Sequence, residues 1–372
     1  MRKNTLAVLA VGTGLALALT ACGANSSGGS SGGSGSSGSA GGTKVGVILP
    51  ETATSARWAD FDQPMLDKAL RAKGLDPIIE NAQGDTQKFS QIADSMISQK
   101  VKVLIIAAPS GDSGAAVEQK AAQQGIPVID YDRLNLGGSA KYYVSFNNEK
   151  VGQLQGQALV TALQSKPGAQ VIEIEGSPTD NNATLFHNGQ EDVLKPLYAN
   201  GTLKLVNSRF IDNWDNPTGG TVFEQLLTAN GGKVDGVLAA NDGLAGAIIT
   251  VLQKDGLAGK VPVTGQDATA DGLKAILQGV QYSTVFKPIQ QEADAAAQLA
   301  AALATGDTAA ADKIATQTSH DPTGNRDVAS VLLQPQSITK DNVKVVVQQG
   351  YVKASDICGG ALAAACTQYG VS

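Results

Sequence analysis

The chain is poor in the groups that usually do chemistry. Its 372 residues include only two histidines, three cysteines and three methionines. The histidines, His187 and His320, stand far apart and form no metal-spaced cluster. No Gly-x-Ser-x-Gly elbow lies in the body of the chain. These absences argue against a zinc hydrolase and a serine esterase, and neither a metal nor a cofactor is expected. Basic blocks are missing as well. With 34 acidic against 28 basic residues the formal net charge is −6, so nucleic acid is not an expected partner. An anionic lipid surface would repel such a body. Tryptophan is scarce too, and the positions of Trp58 and Trp214 matter below.

The first residues carry a targeting pattern. Arg2 and Lys3 precede an apolar run over 6–19, followed by Leu19-Thr20-Ala21-Cys22. A charged start, a short apolar stretch and small residues before a cleavage point describe a secretory signal. The run is too short for a comfortable membrane span. With cysteine after the small pair, residues 1–22 resemble a bacterial lipoprotein signal, which implies that Cys22 becomes a lipidated first residue. One acyl chain holds weakly, and the resemblance implies several. From Gly23 to Gly42, 17 of 20 residues are Gly or Ser. Such a segment, 23–43, is a flexible tether reaching roughly 25 Å on random-coil scaling. The expected location is the extracytoplasmic face of the cell membrane, held by lipid. Outside the reducing cytosol, Cys358 and Cys366 favour a disulfide over two free thiols.

The rest, too long for one small core, suggests two domains. Strand patterns at 44–49, 76–81, 101–107 and 126–130 alternate with helical spacing at 57–73, 88–100 and 115–124. The pattern then restarts, with helices at 148–163, 183–198 and 221–229. Strands are predicted at 170–175, 203–210, 234–239, 261–265 and 281–286. The run Val101-Lys102-Val103-Leu104-Ile105-Ile106-Ala107 reads as a strand buried on both faces. The fold class is therefore α/β, with parallel, doubly wound sheets in two similar lobes.

Open parallel sheets bind ligands beyond the carboxyl ends of their strands. The polar and aromatic residues of this chain gather there. The first strand exits into Arg57-Trp58 and the fourth into Asp130-Tyr131-Asp132-Arg133. Strand exits in the second unit carry Asp180-Asn181-Asn182, Asp212-Asn213-Trp214, Asn241-Asp242, Gln266-Asp267 and Lys287-Pro288. Trp58 and Trp214, one per unit, suit stacking on a flat, partly apolar ligand such as a pyranose, whose hydroxyls suit carboxylates, amides and Arg forks. Plain packing serves equally for either indole alone. Asp180, Asn182, Asn241 and Asp267 also suit helix N-caps. Asp132 and Arg133 also suit a simple ion pair.

Several ordered motifs resemble the type I periplasmic sugar-binding proteins of the xylose-binding and multiple-sugar-binding kind. They are Ser55-Ala56-Arg57-Trp58, Ile129-Asp130-Tyr131-Asp132-Arg133, Phe146-Asn147-Asn148-Glu149-Lys150-Val151-Gly152 and Gly176-Ser177-Pro178-Thr179-Asp180-Asn181-Asn182-Ala183. Further on come Asn241-Asp242-Gly243, Gly265-Gln266-Asp267-Ala268 and Tyr282-Ser283-Thr284-Val285-Phe286-Lys287. The resemblance covers nearly all of 44–353. It implies two lobes, 44–147 with 288–330 and 148–287 with 331–372, joined by a three-strand hinge near Asn147, Lys287 and Pro335. It implies that Trp58 and Trp214 stack on sugar, that Arg57 and Arg133 bind hydroxyls, and that Asp132, Asp180, Asn182, Asn241, Asp267 and Lys287 supply the other polar contacts. Phe186 packs beside the sugar on the same reading. Residues 51–55 lean toward the multiple-sugar kind, whereas Asn241 before Asp242 follows the xylose kind.

The function so implied is a monomeric, non-enzymatic receptor that hands a monosaccharide, D-xylose first, to an ABC permease. A receptor for glucose, galactose or arabinose is the alternative, as is a sensory co-receptor for a kinase or chemoreceptor. A secreted glycosidase using paired acids is the enzymatic competitor, although neither histidine joins a visible catalytic set. A repressor of the same fold is opposed by export and by the missing DNA-binding headpiece.

Overall fold

A computed structural model describes residues 42–371. The leader, Cys22 and the Gly/Ser segment up to residue 41 lie outside that range. The first half-unit runs β1 (Thr43–Leu49), a π turn (Trp58–Asp62), α1 (Gln63–Ala72), β2 (Leu75–Asn81), α2 (Thr86–Ser98), β3 (Val103–Ile106), α3 (Gly111–Gln123), β4 (Val128–Tyr131) and β5 (Tyr142–Phe146). The second unit runs α4 (Asn148–Leu163), β6 (Ala169–Glu175), α5 (Asn181–Ala199), β7 (Leu203–Phe210), α6 (Asn216–Ala229), β8 (Gly236–Ala239), α7 (Asp242–Lys254) and α8 (Ala270–Gln278). The chain returns through β9 (Thr284–Phe286) into α9 (Ile289–Ala304), α10 (Thr308–Ile314), β10 (Gln317–Asp321) and β11 (Arg326–Leu333). It leaves again through β12 (Gln336–Ile338) into a tail with α11 (Lys344–Gln348), α12 (Ala354–Ile357) and α13 (Ala363–Tyr369).

Seven strands form one sheet in the order β10-β11-β5-β4-β3-β1-β2. Every pair is parallel except β10 with β11. The other unit holds a parallel sheet in the order β7-β6-β8. Strand β3 is buried at all four positions, as an interior parallel strand covered on both faces must be. Gly46 in β1 lets α2 come close, since a Cβ there would stand 2.7 Å from Met96 Sδ and Leu104 Cδ2. Helices start on short polar side chains. Asp85, Ser110, Asn147, Asp180, Asp215, Asn241 and Thr269 each accept a backbone N–H of the turn they open.

Local structure departs from the sequence reading in several places. The predicted strand at 261–265 reduces to two isolated bridges, Val261 beside Ala258 and Val263 beside Val237. The strand at 281–286 shortens to β9, because Gln281 turns its amide to Asp242 and to the Ser283 carbonyl. The helix expected from residue 57 opens with the π turn, which buries Trp58, Phe61 and Asp62 together. Strands β5, β10 and β11 and the Ala-rich α9 have no counterpart in the periodicity reading.

The chain passes between the two main sheets after Phe146, after Phe286 and after Leu333. At these crossings β9 pairs antiparallel with β12, and Asn147 N donates to Leu333 O at 2.8 Å. The tail packs over the crossings. Tyr351 meets Phe61 edge-on at 5.5 Å and Phe286 at 4.8 Å, in a cluster that also holds Phe146, Leu273 and Ile276. Cys358 and Cys366 are bonded to each other within this tail. Among the described residues no helix is long and apolar enough to cross a membrane.

Candidate functional site

The strand exits of both units face one narrow cleft, with a free volume of only about 30 Å³. All eleven residues singled out as ligand contacts line it: Arg57, Trp58, Asp132, Arg133, Asp180, Asn182, Phe186, Trp214, Asn241, Asp267 and Lys287. Four further residues, Glu51, Thr54, Ser55 and Gln266, complete the lining. The sequence reading placed their segments at strand exits without assigning them. Glu51 shapes its own loop, accepting Thr54 N at 2.7 Å and Ser55 N at 3.2 Å.

One wall is built on charge. Arg57 donates twice to Asp62, at 2.9 and 2.7 Å, once to Asp132 at 2.8 Å and once to Glu292 at 3.2 Å. Its guanidinium is therefore largely spent on carboxylates and fixes Asp132 from behind. Tyr131 O–H adds a bond to Asp62 at 2.8 Å. All of these groups are buried. Burial pushes the Asp132 carboxyl up, but Arg57, Lys287 and Arg133 outweigh it and hold the group at about 2. Burial pushes Glu292 well above the usual range, with Asp132 adding to the shift. Trp58 lies under two guanidinium groups, Arg57 at 4.3 Å and Arg133 at 5.3 Å from its ring centre.

The facing wall is built on helix starts. Asp180 caps α5 by accepting Asn182 N at 3.0 Å, and its other oxygen accepts Trp214 Nε1 at 3.1 Å. Asn241 caps α7 by accepting Leu244 N at 2.9 Å. Capping and cleft lining thus coincide in the same side chains. Phe186 meets Trp214 edge-on at 6.4 Å. Gly176 makes room for that indole, since a Cβ there would stand 2.1 Å from Trp214 Cη2. Behind Asn241, Asp242 accepts from Thr269 N at 2.9 Å and from Gln281 Nε2 at 2.8 Å, which ties α7 to the loop carrying Asp267. Burial drives the Asp242 carboxyl up to about 7, against the bonds from Gln281, Thr284 and Thr269.

The walls also bond to each other. Arg133 Nε stands 2.9 Å from Asp180 Oδ2 as an ion pair without hydrogen-bond geometry, Asn182 Nδ2 donates to Asp132 O at 2.9 Å, and Ser55 Oγ donates to Asp267 Oδ2 at 3.3 Å. Lys287 makes only long ion pairs, 3.7 Å to Asp132 and 3.5 Å to Asp267. Two buried acceptors on the lining, Gln266 Oε1 and Asp267 Oδ1, have no hydrogen-bond donor. Backbone strain gathers here too. Asp132, Trp214 and Asp267 take φ of 61°, 57° and 98°, a region non-glycine residues rarely adopt. The cleft therefore offers two indoles, free acceptors, a loosely paired ammonium and an Arg fork, all converging on a small volume. Such a set can grip a compact polyhydroxylated molecule and offers no nucleophile–base pair.

A cleft of this composition between two parallel α/β units defines a solute receptor, and the chain belongs to the periplasmic binding proteins. The family's periplasmic binding protein domain matches residues 45–308. The chain is 36% identical over 315 residues to the D-xylose-binding periplasmic protein of Escherichia coli K12, covering 84% of this chain and 92% of that one. It is equally 36% identical over 330 residues to the multiple sugar-binding periplasmic receptor ChvE of Rhizobium radiobacter, covering 84% and 92%. A carbohydrate transporter solute-binding protein of Chloroflexus aurantiacus, solved with D-glucose, superposes with a TM-score of 0.75 at 31% identity over 84% of this chain and 97% of that one. The fold is that of the type I sugar-binding proteins, and the chain is a binding protein rather than an enzyme.

Proposed function

We propose that the chain is an extracytoplasmic receptor that captures a monosaccharide, D-xylose first, between its two lobes and delivers it to an ABC sugar importer. The carrying observation is the convergence of eleven residues from both units, at the strand exits and in the α5 start that follows one of them, on one cleft where two acceptors lack a hydrogen-bond donor. The C–H face of a pyranose stacks on Trp214 and Trp58, and its hydroxyls replace the bonds that the walls now make to each other. Asp132, held ionised, accepts from hydroxyls, while Arg133 and Lys287 donate. The lobes move about the crossings after Phe146, Phe286 and Leu333, and the sugar stabilises the closed form that the importer reads. The receptor acts as a monomer, anchored through lipid on Cys22. Glucose, galactose or arabinose is the second ligand reading, favoured by the D-glucose bound to the Chloroflexus protein.

Calorimetry of the full chain against pentoses and hexoses tests the reading. A clear xylose affinity is expected, and Arg133→Ala or Trp214→Ala should each weaken it roughly tenfold or more, about 1.4 kcal/mol per decade. Tight hexose binding without a xylose response would reject xylose and keep the receptor. Silence toward every sugar would reject the receptor. Cys22→Ser should move the protein out of the membrane fraction.

A further inference from the structure

We propose that Glu173, Glu175 and His187 form a binding site for a first-row divalent transition metal of the zinc class, between β6 and α5. One ligand atom from each lies within 4.8 Å of the others. Glu173 and Glu175 alternate by two along β6 and so share a face, while His187 reaches them from α5. Both glutamates are buried, at 1% and 0% exposure. The His187 side chain is 28% exposed, which leaves an entry path.

The groups in this cluster do not fully satisfy one another. Glu175 Oε1 faces His187 Nδ1 at 3.1 Å, and Tyr198 O–H donates to Glu173 Oε1 at 2.7 Å. Glu173 Oε2, fully buried, has no hydrogen-bond partner. Two buried carboxyls thus face a single imidazole.

A divalent cation would supply the partner that the buried Glu173 Oε2 lacks. Zinc takes imidazole nitrogen and carboxylate oxygen at about 2.0–2.2 Å. Calcium and magnesium want six or more oxygens and gain little from an imidazole. Tyr198 already orients Glu173 from outside the shell. With its amide nitrogen turned inward, Gln190 orients Glu175 at 2.8 Å. The pattern of the sequence hides this set because its ligands come from a strand and from a distant helix turn. The place is also adjacent to the cleft. Glu175 precedes Gly176, the residue that accommodates Trp214, and His187 follows Phe186, which edges the same indole.

The test is zinc titration of the untagged, chelator-stripped full chain, followed by calorimetry and thermal unfolding. Wild type should take up one zinc per chain and unfold at a higher temperature with zinc present. His187→Ala, a change at a partly exposed side chain, and Glu173→Gln, which keeps the acceptor for Tyr198, should each weaken uptake at least tenfold. His320→Ala, at an exposed surface histidine beside Asp327, should bind zinc like wild type. No uptake by wild type would overturn the site. So would unchanged uptake in both cluster variants, or loss of uptake in His320→Ala instead.

Discussion

On the wall that grows from the seven-stranded sheet, Arg57 and Asp132 are positioned by a buried web of charges. On the wall that grows from the three-stranded sheet, Asp180 and Asn241 are positioned by the first turns of α5 and α7. A charged web aims side chains strongly but depends on every member, because removing one ion leaves its partners buried and unpaired. A helix start aims a side chain through the backbone, and losing one cap costs only about 1 kcal/mol. One cleft therefore combines a wall that is sensitive to single deletions with a wall that is sensitive to local space.

The largest effect should come from breaking the charged web. Arg57→Ala strands Asp62, Asp132 and Glu292, and should cost roughly 3–5 kcal/mol in urea unfolding. A loss under about 1 kcal/mol would mean that the carboxyls simply take up protons, and the contrast between the walls would fail.

A pH series should separate the walls by sign. Asp132 sits at about 2 when folded, below its unfolded value of about 3.9. Its contribution is present above about 3.9 and is lost as pH falls through 2. Asp242 sits at about 7 when folded, above the same unfolded value. The folded state then holds the extra proton, so stability declines as pH rises from about 4 to 7 and levels off above. The slope from this one group is at most about 1.4 kcal/mol per pH unit. Asp242→Asn should flatten that limb and leave the acid limb untouched. An unchanged alkaline limb in the variant would remove Asp242 from the account.

The smallest of the three effects tests local space. Gly176→Ala places a methyl 2.1 Å from Trp214 Cη2 and must shift the indole. Sugar affinity should fall about tenfold, or roughly 1.4 kcal/mol, with the charged wall intact. Wild-type affinity would show that the position of Trp214 does not govern binding.

Much of this was legible in the sequence because chemistry at strand exits is read from position alone. Arg57-Trp58, Asp132-Arg133 and Asn241 follow apolar runs, and the runs declare themselves by burial on both faces. The cleft lining beyond those residues was not legible. Glu51 acts through bonds to Thr54 and Ser55 in its own loop, and Gln266 matters because its oxygen has no donor. Neither property leaves a periodic trace. The role of Arg57 also differs in kind from a hydroxyl fork. Its partners Asp62 and Glu292 come from the π turn and from α9, and only packing brings them together. Strands β10 and β11 escaped because their burial does not alternate: β10 is mostly exposed and β11 mostly half-exposed.

The tail over the crossings has a mechanical consequence. Tyr351 touches Phe61, on the turn just after Arg57 and Trp58, and Phe286, just before Lys287. Both contacts are edge-to-face, at 61° and 84° between ring planes. Rings meeting edge-on stay in favourable contact over a range of offsets, where interlocked aliphatic chains would have to disengage. Tyr351 thus covers the crossings and, under the lobe closure proposed above, would act as a bearing that keeps them covered as the two halves of the cleft move.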